Sequence, residues 1–332
     1  MLTSKLLTTP VLFLIFNRPD TTQRVFDEIK KARPSQLFVS ADGPREGKAG
    51  EAARCQAARD VIKQVDWECE VHKNFHEKNV GLKIAVSSGI DWFFKHVEEG
   101  IILEDDCLPS QSFFWFCQKL LERYRDDKRI MMIGGSNLQF GRKRGSASYY
   151  FSRLAHIWGW ASLKRAWKYF DLNLETFPDF KEQNQIQNVF VDKTSQIFWM
   201  TKIQKAYAGG NSWAYLWAYT IMAQNGLCIC PNENLVSNIG FRPDATHRAA
   251  SDINNPLGYI KTVEIEQIIH PTYILPDRSA DEFLSASLTR LQLPRISFGT
   301  TMKTGIMGVA MTMIPKACRK KVRSLIERCK SR

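Results

Sequence analysis

The chain reads as an α/β domain built on an open, mostly parallel sheet with helices on both faces, and three observations predict this. Residues 10–140 alternate short apolar runs with amphipathic segments, the rhythm of successive βαβ units. The run Gly100-Ile101-Ile102-Leu103 is continuously apolar, as a strand buried on both faces of a parallel sheet must be. Three of the apolar runs end in compact polar motifs: Asn17-Arg18-Pro19-Asp20, Ser40-Ala41-Asp42-Gly43-Pro44-Arg45 and Glu104-Asp105-Asp106. In an open α/β sheet the carboxyl ends of the strands are where ligands bind.

The first strand is expected over 11–16. It is too short for a secretory signal, has no small-residue cleavage site after it and runs straight into Asn17-Arg18-Pro19. A helix over 21–32, capped by Asp20 or Thr21, places Val25, Phe26, Ile29 and Ala32 on one face. Strands over 36–41, 68–74, 100–103 and 130–133 then alternate with helices over 49–65, 82–97 and 109–125. Beyond about residue 140 the texture changes: Gly141-Arg142-Lys143-Arg144-Gly145-Ser146 reads as an exposed loop, and tryptophan becomes dense at Trp158, Trp160, Trp167, Trp199, Trp213 and Trp217. Trp213 and Trp217 are an i, i+4 pair, which points to core, and one or two of these aromatics suit sugar stacking. This divides the chain into residues 1–140, residues 141–295 of the same domain, and a basic amphipathic tail over 296–332.

Composition bounds the function. The 332 residues suffice for a full core, and the 44% apolar and 24% charged contents are those of a globular protein. No stretch reaches the roughly 20 apolar residues of a membrane span. The eight cysteines form no CxxC pair, which argues against structural zinc and for free thiols in a reducing cytosol. Neither GxGxxG after the first strand nor GxxxxGK[ST] anywhere is present, so dinucleotide oxidoreductases and P-loop NTPases lose their main support.

The acidic run carries the chemistry. Adjacent carboxylates repel one another unless something positive neutralises them, and hard divalent cations take carboxylate oxygen while bridging to phosphates. A solvated acidic turn leading to the next helix fits the tripeptide equally well. Arg18 can neutralise a diphosphate bidentately, and Asp42 can accept from a base or a ribose hydroxyl. Glu104 and Asp106 point to one face of a strand and Asp105 to the other, so all three serve one ligand only if the strand is already turning.

These motifs together resemble a GT-A fold glycosyltransferase, of the type of the N-acetylglucosaminyltransferases that extend N-glycan cores and the bacterial nucleotide-diphospho-sugar transferases related to them. That family begins with a strand ending in Asn-Arg, as at Asn17-Arg18, and its second strand ends in an aspartate that meets uracil, as at Asp42. A helix resembling Val80-Gly81-Leu82-Lys83-Ile84-Ala85 precedes a strand ending in Glu-Asp-Asp and a Phe-rich helix, matched by Glu104-Asp105-Asp106 and Ser112-Phe113-Phe114. A Gly-Trp dipeptide opens the acceptor half, as Gly159-Trp160 does over a resemblance covering residues 10–250. The resemblance implies a UDP-sugar donor, Mn²⁺ or Mg²⁺ on Asp106, the ribose on Asp105 and the donor sugar near Glu104. Asn17, Arg18, Asp42 and Lys83 complete the nucleotide-sugar site.

One position departs from the pattern. Inverting members place a catalytic aspartate just after a tryptophan in the acceptor half, and here Ala214 follows Trp213. The polar segment 231–247, expected at a surface or rim, offers Asp244 as first substitute base and Glu233 as second. His247 there is a candidate second metal ligand, against the commoner role of a structural hydrogen-bonder.

Eight Lys or Arg against Glu327 in residues 315–332 supply +7 of the net +12, just after the apolar Met302, Ile306, Met307, Val309, Met311, Met313 and Ile314. This suits a cytoplasmic protein lying peripherally on an anionic membrane surface, with a glycan or lipid-linked glycan as acceptor and no nucleic-acid partner. The reading is therefore a metal-dependent transferase of sugar from a nucleoside diphosphate. The alternatives are a sugar nucleotidyltransferase and a degenerate protein that binds nucleotide sugar or glycan without turnover.

Overall fold

A computed structural model of the protein describes residues 7–241 and 256–292. The chain divides into a large unit, Met1–Leu291, and a short C-terminal one, Gln292–Arg332. The elements below belong to the first, the final helix ending at its border.

The first half runs β1 (Val11–Ile15), α1 (Pro19–Ala32), β2 (Gln36–Ala41), α2 (Glu51–Asp60), β3 (Glu70–Phe75), α3 (Leu82–His96), β4 (Glu99–Glu104), β5 (Cys107–Pro109), α4 (Gln111–Tyr124) and β6 (Ile130–Gly134). The second half adds β7 (Tyr149–Ser152), β8 (Trp160–Leu163), α5 (Lys164–Trp167), α6 (Phe177–Glu182), α7 (Ile186–Val189), α8 (Lys193–Tyr207), α9 (Trp213–Ala223), β9 (Leu227–Pro231), β10 (Val236–Asn238) and α10 (Arg278–Gln292).

One eight-stranded sheet, in the order β3-β2-β1-β4-β8-β6-β9-β7, forms the centre. It is mostly parallel: only β8 and β7 run against the others. The strand order reverses at β1, which pairs with β2 on one side and β4 on the other, so the crevice between the carboxyl ends of β1 and β4 is the topological switch point.

Alternation along β1 builds two layers of core. Val11, Phe13 and Ile15 pack with Phe26 and Ile29 of α1 and Phe113 and Leu120 of α4. Leu12 and Leu14 face the other way, onto Ile90 and Phe93 of α3 and Trp160 of β8. A third cluster, including Phe177, Ile203 and Tyr219, fills the lobe of α6, α8 and α9. Trp213 and Trp217 are both buried, as their spacing predicts; Trp213 stacks on Trp160 and Trp217 meets it at a tilt.

The structure corrects several expectations. Helix α1 begins at Pro19 rather than at 21, because proline fixes a helical φ and lacks the N–H that a first turn cannot use. The predicted helix over 49–65 is α2 followed by a 3₁₀ turn over Val61–Gln64. Residues 107–109, expected to lead into a helix, instead pair as β5 with β10. The segment after 231 is not a surface rim at its start: Asn232 and Asn234 are buried, and their amides tie it to Arg144, Ala147, Asn137 and Ile260. Buried amides satisfied in this way knit loops together, and composition alone does not distinguish them from solvated turn residues.

Candidate functional site

The acidic run sits at the switch point. Strand β4 ends at Glu104, level with Leu14 of β1, and Asp105-Asp106 form a turn, so the strand has indeed turned. The Phe16 backbone N–H at the end of β1 donates to Asp105 Oδ2 at 3.1 Å. Arg18 Nη1 lies 3.0 Å from Asp106 Oδ2 and 3.9 Å from Asp105 Oδ1. On the other side, Asn238 Nδ2 and the Cys107 thiol approach Asp106 Oδ1 at 3.5 and 3.6 Å, and the Asp106 carbonyl accepts from Ile239 N. The β5–β10 pair thus carries residues 238–240 against the acids.

Among the described residues, the ion pairs made by the turn run to Arg18. Burial, then the charges of Asp106 and Asp105, push the Glu104 carboxyl up to about 8. Burial and Asp106 push Asp105 up to about 7 against the opposing pull of Arg18. Both shifts have the sign expected where carboxylates share a poorly solvated site.

A second pair of acids organises the β2 side. Asp42 is buried, and its carboxylate accepts from Gly43 N, Val80 N, Gly81 N and Asn79 Nδ2 at 2.8–3.1 Å. Those four bonds fill the roughly four acceptor sites a carboxylate has. Asp42 therefore fixes the 79–81 loop that leads into α3, and its oxygens are committed within the chain rather than open to a base. Gly43 makes this approach possible: a β-carbon there would lie 2.4 Å from the Lys78 carbonyl carbon.

Glu51, at the start of α2, is fully buried. It accepts from Asn17 Nδ2 at 2.8 Å, from Arg45 N at 2.8 Å and from the Arg45 guanidinium through Nε and Nη2. Its hydrogen bond with that guanidinium holds its carboxyl down at about 2 despite burial. Arg45 in turn lies over the Phe16 ring, 5.8 Å from its centroid. Sequence reasoning missed Glu51 because an acid in a first helical turn is ordinary; the only signal was its position a few residues beyond the Asp42-Gly43-Pro44-Arg45 motif.

The structure thus gathers Asn17, Arg18, Asp42, Glu104, Asp105 and Asp106 along one edge. Lys83 lies in the first turn of α3, just beyond the loop held by Asp42, and its N–H donates to Asn211 Oδ1 ahead of α9. Ala214 is half-buried at the start of α9 against the tryptophan cluster. Glu233 pairs with Lys143 at 2.6 Å rather than with the acidic run. Asp244 and His247 lie outside the described residues, as does the basic tail.

The fit to a divalent cation follows from the donors present. Among the described residues no three His, Cys, Asp or Glu side chains are grouped to cage a metal. Asp106, with Oδ2 3.0 Å from Arg18 Nη1 and two further acids beside it, offers a single carboxylate, so a hard ion there would have to take its other ligands from outside the chain's described residues.

No known family profile matches the chain, and no curated protein matches it. Solved structures do. HddC from Yersinia pseudotuberculosis matches with 11% identity and a TM-score of 0.32, over 52% of this chain and 87% of that one. The 4-diphosphocytidyl-2C-methyl-D-erythritol synthase of Anaerococcus prevotii matches with 8% identity and a TM-score of 0.29, over 47% and 72%. An apo UDP-glucose pyrophosphorylase matches with 11% identity and a TM-score of 0.37, over 70% and 93%. Membership of the N-acetylglucosaminyltransferase type is not shown by these matches. Among the described residues, no helix is long and apolar enough to cross a membrane.

Proposed function

We propose that the crevice at the ends of β1, β2 and β4 binds a nucleoside diphosphate sugar, and that the chain is a glycosyltransferase acting on a glycan or lipid-linked glycan hydroxyl. The observation that carries this reading is the placing of Glu104, Asp105 and Asp106 at the topological switch point with Arg18 as their near countercharge. The resemblance of the surrounding motifs supports a UDP-sugar as donor.

Mg²⁺ or Mn²⁺, if held by Asp106, would supply positive charge against the leaving diphosphate. The chain's own residues do the rest. The Phe16 N–H and Arg18 hold Asp105 and Asp106 in place before any ligand arrives. Such preorganisation makes charge stabilisation effective in the transition state. Asp42 sets the loop ahead of α3, and that helix presents Lys83 in its first turn, where N–H groups and the helix dipole favour anions. Glu104, on the α3 face of β4, addresses the sugar side.

The second reading is sugar nucleotidyl transfer, the activity by name of the UDP-glucose pyrophosphorylase matched above. It would use the same edge and cation. Calorimetry of UDP with and without Mn²⁺, on wild type and Asp106→Asn, tests the site: metal-dependent binding lost in the variant supports it, and no nucleotide binding at all overturns it. Products then separate the reactions. Release of UDP from a UDP-sugar means glycosyl transfer, release of pyrophosphate from a nucleoside triphosphate and a sugar phosphate means nucleotidyl transfer, and binding without turnover means a degenerate member. Attachment of residues 302–332 to an anionic membrane is part of the same proposal, and unchanged vesicle co-sedimentation after their deletion would refute it.

A further inference from the structure

Both carboxylate oxygens of Asp106 already have close neighbours. Oδ2 lies 3.0 Å from Arg18 Nη1, and Gly240 is packed so near it that a β-carbon there would come within 2.3 Å. Oδ1 faces Asn238 Nδ2 at 3.5 Å and the Cys107 thiol at 3.6 Å. A hard divalent ion takes carboxylate oxygen at about 2.0–2.6 Å, and a guanidinium at hydrogen-bond distance from Oδ2 both fills that approach and repels the ion. Arg18 and a metal therefore compete for one carboxylate. The backbone of Arg18 is pinned where β1 runs into α1: its carbonyl accepts from Thr22 N at 2.9 Å, Thr22 Oγ1 at 2.7 Å and Thr21 Oγ1 at 3.3 Å, and Pro19 follows. The guanidinium can thus leave Asp106 by side-chain rotation, with the chain around it unmoved. Asp105 differs, because its Oδ2 accepts from the Phe16 backbone N–H at 3.1 Å, a donor that cannot turn away.

We propose that Arg18 is a placeholder for the cation: it neutralises Asp106 until a nucleoside diphosphate arrives with its metal, then gives up that carboxylate and turns to the diphosphate. This rests on the nucleotide-sugar reading above and adds to it a coupling between the two ligands of the site. A diphosphate can draw Arg18 away, because it offers paired anionic oxygens to the planar guanidinium fork. A bare divalent ion offers Arg18 nothing and meets its charge. Metal and nucleotide then strengthen each other's binding, as linked equilibria require. The two-state element is one side chain, Arg18 on Asp106 or Arg18 on the diphosphate, and it keeps the acids from capturing metal when no nucleotide is at hand.

The experiment titrates Mn²⁺ alone, followed by the electron paramagnetic resonance signal of the unbound ion, into wild type, Arg18→Gln, Asp106→Asn and the double variant Arg18→Gln/Asp106→Asn. Arg24→Gln, at an exposed position on α1, controls for the change in net charge. Removing a competitor strengthens binding, so Arg18→Gln should hold Mn²⁺ about tenfold or more tightly than wild type, with less than about twofold change in Arg24→Gln. The gain should vanish in the double variant, since Asp106 is where the competition occurs. A measurement on wild type keeps the test decisive if Arg18→Gln does not fold: the Arg18 Nε–H resonance should stay in place on adding Mg²⁺ and shift when UDP is added with it. Mn²⁺ affinity unchanged in Arg18→Gln, a gain equalled by Arg24→Gln, or an Nε–H signal unmoved in protein that has bound UDP and Mg²⁺ would overturn the exchange and make Arg18 a fixed prop of the acids. Wild type that binds no UDP with either metal would instead remove the nucleotide reading itself, so the two failures are distinguishable.

Discussion

Gly240 packs so closely on Asp106 that a β-carbon at position 240 would lie 2.3 Å from the Asp106 Oδ2. No side chain larger than hydrogen fits there unless the carboxylate swings away. The carboxylate is a side-chain terminus, so it can yield, but only by leaving Arg18 Nη1, which it now meets at 3.0 Å. Gly240→Ala is therefore expected to cost little stability, less than about 1 kcal/mol. It should nevertheless weaken metal-dependent nucleotide binding by an order of magnitude or so, because a misplaced first ligand loses geometry that binding relies on. Thermal melts and UDP calorimetry with Mn²⁺ on the same preparation check both halves. Unchanged nucleotide affinity would mean that Asp106 does not face the ligand.

Glu51 makes stability depend on acid. Its folded carboxyl is held down at about 2, chiefly by the Arg45 hydrogen bond, below the roughly 4.3 of an unfolded chain. A depressed folded value contributes stability that is present above the unfolded value and is lost as pH falls through the folded one. The contribution should therefore be complete at pH 6 and decline between about pH 4.5 and 2. With Arg45 half-exposed, solvent screening reduces its size, and Glu51→Gln should cost about 1–2 kcal/mol at neutral pH. Urea unfolding at pH 7 and pH 3 should show a gap between wild type and variant that narrows at the lower pH; a constant gap would mean that packing rather than charge holds Glu51.

How far the sequence carried the structure depended on the physics behind each element. The parallel strands and their helices were legible because a strand buried on both faces needs a continuous apolar run, which 11–15 and 100–103 supply. The three polar motifs lie on one edge because parallel strands bring all their carboxyl ends together. Beyond residue 140 the signal faded. β8 enters the sheet antiparallel between β4 and β6 through Trp160–Leu163, and its register is set by neighbours far away in sequence. β5 and β10 span only three residues each, too few for any period to show. At the site, residue types were readable but partners were not: Asp42 looked open to a ligand and is saturated by the 79–81 loop, while Glu51 gave no sign of being buried.

Asp281 should impose the opposite pH dependence from Glu51. It lies on the buried face of α10, where its carboxylate accepts from the Ser152 hydroxyl and Arg153 N. Burial outweighs those bonds and raises its carboxyl to about 7. The folded protein then binds a proton that the unfolded chain has released, so stability contributed by this group is full below about pH 4 and falls as pH rises towards 7. Asparagine imitates the protonated acid in shape and hydrogen bonding. Asp281→Asn should thus be near neutral at pH 4.5 and stabilising by about 1–3 kcal/mol at pH 8 relative to wild type. Denaturant midpoints measured across that range test it, and a difference that does not grow with pH would show that Asp281 stays ionised in the fold.

Asp42 supplies the sharpest separation between holding a loop and touching a ligand. Its four acceptor bonds all run to residues 43 and 79–81, and three come from backbone N–H groups that have fixed positions. Replacing it with asparagine turns one acceptor oxygen into a donor that faces N–H groups, leaving two of the four bonds unmade and adding repulsion. Each unsatisfied buried group costs about 1–3 kcal/mol, so Asp42→Asn should destabilise by about 2–4 kcal/mol. Because the same loop sets the start of α3, hydrogen exchange should speed up at the Val80 and Gly81 amides before any nucleotide is added. A direct contact with the base predicts a different pattern: nucleotide affinity would fall while stability and exchange in the free protein stayed as in wild type.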